Sequence, residues 1–360
     1  MGERRTPLLE THRKLGAKLT EFAGWEMPLS YGGGGVIAEH NAVRGAVGVF
    51  DVSHLGKLRV SGPGAADALG FAVTADIVSL PVGRARYGLV LTEEGGCVDD
   101  VFTYRLGDDE WMVVPNASNV AAVAERIEGP GTKIEDEWAR WAILAIQGPR
   151  AFEVFGSVFP RSGALDLKLH AWSDIDVFGR SGIVARTGYT GERGFELYAP
   201  AEVSEEAFGA LIEAGCAPVG LGARDTLRLE MGYALYGHEL TLDIDPLEAG
   251  LGWAVSWDTP FRGRDALQKI RAEGPARTSV GIVCTQRGVP RQGYQLFLDD
   301  RPIGTVTSGN HSPTLNTGIA LALVDGGKAT AVPPGAEVAI DARGRRLAGD
   351  IVEPPFVKRR

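Results

Sequence analysis

The chain has 360 residues, 44% of them hydrophobic and 23% charged, with a formal net charge of −9 and a pI near 5.3. Such a composition supplies true hydrophobic cores, and the length points to two or three domains rather than one. The acidic balance argues against a surface that tracks nucleic-acid phosphates, no apolar run approaches the roughly 20 residues of a membrane span, and three distant cysteines (Cys97, Cys216, Cys284) provide neither a disulfide framework nor a CxxC site.

The first 19 residues, MGERRTPLLETHRKLGAKL, are charged throughout and lack the apolar stretch of a signal peptide, so a cytoplasmic location is expected. The six histidines are scattered without HExxH spacing, and no metal is expected. A helix is predicted over about 34–46. The glycine run before it has no preceding strand and no following Gly-Lys-Ser/Thr, so it reads as a loop rather than a phosphate cradle.

Leu58-Arg-Val-Ser-Gly-Pro-Gly-Ala65 reads as a strand, a Gly-Pro turn and the start of a helix. Three strand-like runs follow (ARYGLVL, CVDDVFTYRL, EWMVVP), then a helix over about 117–128 with Asn116 and Ser118 as cap candidates. Leu144-Ala-Ile-Gln-Gly-Pro-Arg-Ala151 echoes the first motif and is followed by SDIDVFG, SGIVARTG, GFELYAP and a helix over about 202–214. The order strand, helix, three strands, helix thus occurs twice, which predicts two related α+β modules on antiparallel sheet. Gly220-Leu-Gly-Ala-Arg-Asp225 lacks the third glycine of a dinucleotide loop and opens a helix instead, and GLGWAVSW after it reads as extended. Beyond a break near 272–276, short strands alternate with Gly and Pro in the manner of an all-β domain.

Two places hold candidate chemistry. In RTGYTGERGFELYAP (186–200) the strand period sends Phe195 and Leu197 into a core and puts Glu196 and Tyr198 together on the opposite face. Glu196 is then either a half-exposed strand acid or a ligand reader. In Gly95-Gly-Cys-Val-Asp-Asp100 two acids follow a hairpin turn. Val98, Asp100 and Phe102 share one face there, while Cys97, Asp99 and Val101 share the other. Arg224 and Asp225 lie near the start of the GARDTLRLE helix, with Arg228 one turn after Arg224 on the same face, and a surface ion pair is the plain alternative to a binding role.

Beyond single motifs, Phe22-Ala-Gly-Trp-Glu-Met-Pro28, Gly48-Val-Phe-Asp-Val-Ser-His54, Gly95 to Asp100, Val114-Pro-Asn116, Arg186 to Gly191, Gly194 to Leu197, Gly220 to Asp225, Tyr236-Gly237 and Thr307-Ser-Gly-Asn-His-Ser-Pro-Thr314 stand in one order along the chain. In these segments, over essentially its whole length, the chain resembles the folate-dependent aminomethyltransferases of the glycine cleavage system, the T-protein family. The resemblance implies an α+β fold of three domains in a cloverleaf around a central folate channel. Residues 1–52 with 139–258 would form the first folate-binding domain, 53–138 the second, and 259–360 a linker and C-terminal β domain.

The resemblance also implies a reaction. Tetrahydrofolate, as co-substrate, would take the methylene carbon of an aminomethyl group from the lipoylated H-protein and release ammonia, with no metal, nucleic acid or membrane involved. Asp100 would be the catalytic acid and Glu196 the reader of the pterin edge. Tyr189, Asn116, Arg224, Tyr87 and Trp253 would be further folate contacts, with Arg360 a C-terminal one on a tail shorter than in most relatives. Leu55 stands where many relatives carry methionine, a volume-conserving change. The same fold serves folate-dependent demethylases of small methylamines or aryl methyl ethers. It also serves iron–sulfur assembly factors with a Lys-Gly-Cys-Tyr-x-Gly-Gln-Glu string, which is missing here; Cys216 sits in Ala-Gly-Cys-Ala-Pro.

Overall fold

The computed structural model describes residues 4–326 and 332–358, so Arg360 lies outside the described residues. A small sheet in the order β1-β3-β2 joins β1 (Arg4–Arg5), β2 (Lys18–Phe22) and β3 (Trp25–Ser30), with α1 (Leu9–Lys14) between the first two. Next, α2 (Gly35–Gly45) leads to β4 (Gly48–Asp51).

The first copy of the repeat is β5 (Leu58–Ser61), α3 (Ala65–Ala72), β6 (Ala85–Leu91), β7 (Cys97–Gly107), β8 (Glu110–Val114) and α4 (Val120–Ile127), followed by β9 (Lys133–Asp136). The second is β10 (Trp141–Gln147), α5 (Ala151–Val158), β11 (Trp172–Val177), β12 (Arg180–Ala185), β13 (Gly194–Pro200) and α6 (Ser204–Glu213), followed by β14 (Ala217–Val219). Their sheets run β6-β7-β8-β5-β9 and β11-β12-β13-β10-β4-β14. The first four strands match position for position, so the expected duplication is present in the topology. What differs is the fifth place, filled by β9 in the first sheet and by β4 in the second.

After α7 (Leu221–Glu230) and α8 (Arg264–Glu273) come β15 (Arg277–Cys284), β16 (Gln295–Leu298), β17 (Arg301–Ser312), β18 (Thr317–Asp325), β19 (Glu337–Ala342) and β20 (Arg345–Val352). They close a barrel in the order β15-β18-β17-β16-β19-β20, which is the expected C-terminal β domain. Closure removes the exposed edges that an open sheet would present. Ile282, Leu296, Val306, Ile340 and Leu347 fill its interior.

Two local expectations are corrected. The fourth helix begins at Val120 behind Asn119, with no side-chain cap, and Ser118 Oγ donates to Asn119 Oδ1 at 3.0 Å. GLGWAVSW is not extended: Gly252–Ala254 form a 3₁₀ turn, because Leu251 N and Ala254 N bond back to Pro246 and Leu251 carbonyls.

The chain divides into two compact units, residues 1–69, 77–87 and 101–225, and residues 70–76, 88–100 and 226–360. In the first, the inner face of the second sheet (Leu144, Ile146, Val184, Phe195, Leu197) packs on Phe155 of α5 and Phe208 and Leu211 of α6. In the second, Arg228 is buried at the end of α7. It pairs with Glu239 at 3.1 Å and donates to Ser308 Oγ at 2.8 Å, while Thr307 Oγ1 donates to Glu239 at 2.6 Å. Glu230 accepts from Ser312 and Thr314 of the same barrel.

Breaking a buried pair by removing one partner leaves an uncompensated charge. Arg228→Met is therefore expected to lower the stability of the chain by about 3 kcal/mol in denaturant unfolding. A midpoint unchanged from wild type would show that this network does not hold α7 to the barrel.

Candidate active site

Glu196 lies on the face of the second sheet turned away from its helix-packed core. In register, Ala145 of β10 and Ala185 of β12 both stand opposite Glu196 of β13. Directly opposed residues share a face, so the acid is flanked by two methyl groups. Phe195, Leu197 and Ala199, on the other face, belong to the core, as the alternation predicts. The matching positions in the first copy follow from the motif alignment of Arg59 with Ala145. There, Met112 stands opposite Arg59 and Tyr104. The large-apolar-large row of the first copy thus corresponds to a small-acid-small row in the second.

Glu196 is 9% exposed. Burial pushes its carboxyl above the ordinary range, and a hydrogen bond from Thr187 and the charge of Arg224 pull it back. The Thr187 hydroxyl donates to Glu196 Oε2. Behind it, Tyr104 OH lies 3.4 Å from Thr187 Oγ1, and Tyr198 OH donates to Tyr104 OH at 3.1 Å. Burial raises both phenols, and the Glu196 charge adds to the rise. The rings continue from Tyr104 to Phe102 and from Phe102 edge-on to Tyr87 at 5.7 Å. His170 meets Phe102 edge-on at 5.5 Å.

The turn 187–191 carries Tyr189, and the Arg224 guanidinium lies over its ring at 4.7 Å. The turn is fixed by a buried amide. Gln147 Nε2 donates to Thr187 O at 3.2 Å, and Gln147 Oε1 accepts from Thr190 Oγ1 at 2.8 Å. A Cβ on Gly188 would sit 2.1 Å from Gln147 Oε1, and one on Gly194 the same distance from Ile146 O. These glycines are required by the protein's own close packing, whereas Gly191 is required by its φ of +79°.

Glu196, Tyr189, Arg224 and Tyr87 are thus brought together, by direct contact or through the tyrosine chain. Asn116, half-buried after β8, accepts from Asn119 N at 3.0 Å through its carbonyl at the turn into α4. His54 was not singled out in the sequence, yet it is buried against Phe22 at 5.5 Å. Burial and the neighbouring Arg224 charge take its pKa down to about 3, so the imidazole is neutral at physiological pH.

Asp100 and Trp253 belong to the second unit. The hairpin before Asp100 is clamped, for a Cβ on Gly96 would meet Leu242 O at 1.8 Å, and Cys97 N donates to Thr241 and Ile244 carbonyls. Cys97, Asp99 and Val101 are fully buried while Asp100 is half-buried, as the strand period requires. The Asp99 charge contributes, after burial, to raising the Tyr236 phenol. Trp253 is 70% exposed on its 3₁₀ turn.

Among the described residues no group of three or more His, Cys, Asp or Glu could hold a metal, and no helix is long and apolar enough to cross a membrane.

The signals for the missed residues were present but faint. Gln147 is the one polar side chain of the strand WAILAIQ, Thr187 sits at the head of the glycine turn, and Tyr104 shares the Asp100 face of its strand.

Comparison with known proteins places these features. The GCVT N-terminal domain family matches residues 8–259, and the glycine cleavage T-protein C-terminal barrel domain family matches residues 277–358. An aminomethyltransferase of Parafrankia sp. is 48% identical over 368 aligned positions, covering 99% of each chain. One of Mycobacterium leprae is 46% identical over 360, covering 98% of this chain and 96% of its own. The crystal structure of glycine cleavage system aminomethyltransferase T from Bartonella henselae superposes with a TM-score of 0.91 at 34% identity, covering 98% of each chain. Full-length similarity, both domain families and the shared architecture agree: the chain belongs to the glycine cleavage T-protein family of aminomethyltransferases.

Proposed function

We propose that the protein transfers the methylene carbon of the aminomethyl group on a lipoylated H-protein to tetrahydrofolate, releasing ammonia and yielding 5,10-methylenetetrahydrofolate and the dihydrolipoyl H-protein. The observation that carries the reading is the Ala145–Glu196–Ala185 row, a buried carboxylate flanked by two small side chains. A pterin presents adjacent N–H donors along its pyrimidine edge, and a carboxylate accepts two of them in a charge-assisted pair. Small flanking side chains suit a flat ring. In this reading residues 1–52 with 139–258, 53–138 and 259–360 act as three domains.

Arg224, stacked on Tyr189, supplies a fixed positive charge for the anionic glutamyl end of the folate. Tyr87 and Asn116 add contacts to the ring system, and Trp253 offers an exposed aromatic face to the folate. Asp100 stabilises the positive charge that develops on the reacting nitrogens. It is the accessible member of the acidic pair, and Asp99 is the buried one.

Glu196→Gln keeps the size but turns an acceptor into a donor. Tetrahydrofolate affinity is expected to fall about ten- to a hundredfold, since a hydrogen bond to a charged group contributes about 1.5–3 kcal/mol. Unchanged binding by calorimetry would remove Glu196 from the site.

Asp100→Asn should lower single-turnover formation of methylenetetrahydrofolate from aminomethylated H-protein by about a hundred- to a thousandfold, with folate affinity nearly intact. Asp99→Asn should act mainly on stability. A larger rate loss in Asp99→Asn would exchange the roles of the two acids. Demethylation of dimethylglycine by the wild type, without turnover of H-protein, would replace the proposed reaction with that of a demethylase.

A further inference from the structure

The hydroxyl chain behind Glu196 has a fixed direction. A threonine hydroxyl carries one proton, and that of Thr187 goes to Glu196 Oε2. The contact with Tyr104, at 3.4 Å, must then be made by the Tyr104 O–H donating to Thr187 Oγ1. Tyr104 in turn accepts from the Tyr198 O–H at 3.1 Å. All three hydroxyls therefore point toward the carboxylate. Thr187, Tyr104 and Tyr198 are 5%, 0% and 1% exposed, so solvent cannot substitute for any of these donors. Its backbone is held as well, because Gln147 Nε2 donates to the Thr187 carbonyl.

We propose that Thr187 is a positioning residue for folate recognition: locked as a donor by the two tyrosines behind it, it holds one oxygen of the Glu196 carboxylate and presents the charged group to the pterin edge. The inference rests on the reading of Glu196 as the pterin-binding acid. A hydroxyl that only donates favours the ionised acid, which is the form that accepts two ligand N–H groups. Chains of hydrogen bonds also polarise one another, so the first tyrosine strengthens the bond made by the threonine.

Four side chains among the described residues act on Glu196 or are acted on by its charge. Arg224 acts from α7, Tyr104 from β7, Tyr198 from two positions along β13, and Thr187 from the turn. From β10 and β12 the methyl groups of Ala145 and Ala185 stand opposite. Arg224 keeps its charge across the accessible pH range, and the phenols stay protonated. The acid is thus the group of this set whose ordinary range lies nearest neutrality from below, and burial moves it upward. Its ionised form binds the ligand, so affinity is present above its pKa and lost as pH falls through it. Losing the Thr187 hydroxyl raises that pKa and moves the loss of affinity to higher pH.

The test is the pH profile of tetrahydrofolate affinity, measured by calorimetry from pH 5 to 9 on the full chain. The variants are Thr187→Val, Thr187→Ala, Thr187→Ser and Glu196→Gln. For Thr187→Val the acid-side fall should move up by about one pH unit or more, as removal of one hydrogen bond to a charged group implies, and affinity should recover toward the wild-type value at the alkaline end. Thr187→Ser should restore the wild-type profile. Thr187→Ala serves where Val does not fold. A Val or Ala profile superimposed on the wild type, or lowered equally at every pH without rescue by Ser, would overturn the proposal. Glu196→Gln separates the two failures. If it binds folate as the wild type does, the pterin reading falls first; if it binds weakly while the threonine variants do not shift, only the role of Thr187 falls.

Discussion

A carboxylate buried on the face of a sheet cannot stay charged unless hydrogen-bond donors are built around it, because its hydration is gone. At Glu196 that requirement reaches far into the first unit. It calls for a hydroxyl at Thr187, which needs the 187–191 turn held in one conformation. The turn needs Gln147 beneath it, and Gln147 leaves no space for a side chain at Gly188 or for one at Gly194. Tyr104 and Tyr198 then complete the donor chain from behind. One charge thus accounts for a glutamine, a threonine, two tyrosines and two glycines on four different segments.

The duplicated topology presents the same scaffold with and without the acid. Both copies use the same strand order and the same register, and one of them keeps the central position apolar with Met112. In the other the same positions are Ala145, Glu196 and Ala185, an acid between two side chains of smaller volume. Function here sits in a few side chains grafted on a repeated frame, not in the frame.

The sequence made the frame legible, because strand alternation, Gly-Pro turns and the echo between Leu58–Ala65 and Leu144–Ala151 are local signals. It also separated Asp99 from Asp100, since a period of two depends only on neighbours. The helix after Asn116 starts three residues later than its sequence suggests because Asn116, Ser118 and Asn119, three polar residues within four positions, each satisfy the cap rule, and only packing selects among them. GLGWAVSW carried an extended pattern, but Leu251 and Ala254 bond into a local turn that no pattern reports. The largest omission was the network around Glu196. Gln147 and Tyr104 reach Thr187 across 40 and 83 residues, and nothing in a one-dimensional pattern says which faces of distant strands meet.

The most direct measurement is a crystal structure of the protein with tetrahydrofolate bound. The account predicts the pyrimidine edge of the pterin against the Glu196 carboxylate, over Ala145 and Ala185, with the Thr187 hydroxyl still on the far oxygen. A pterin bound away from Glu196, or one whose edge meets only backbone groups while the carboxylate stays turned from it, would contradict the account.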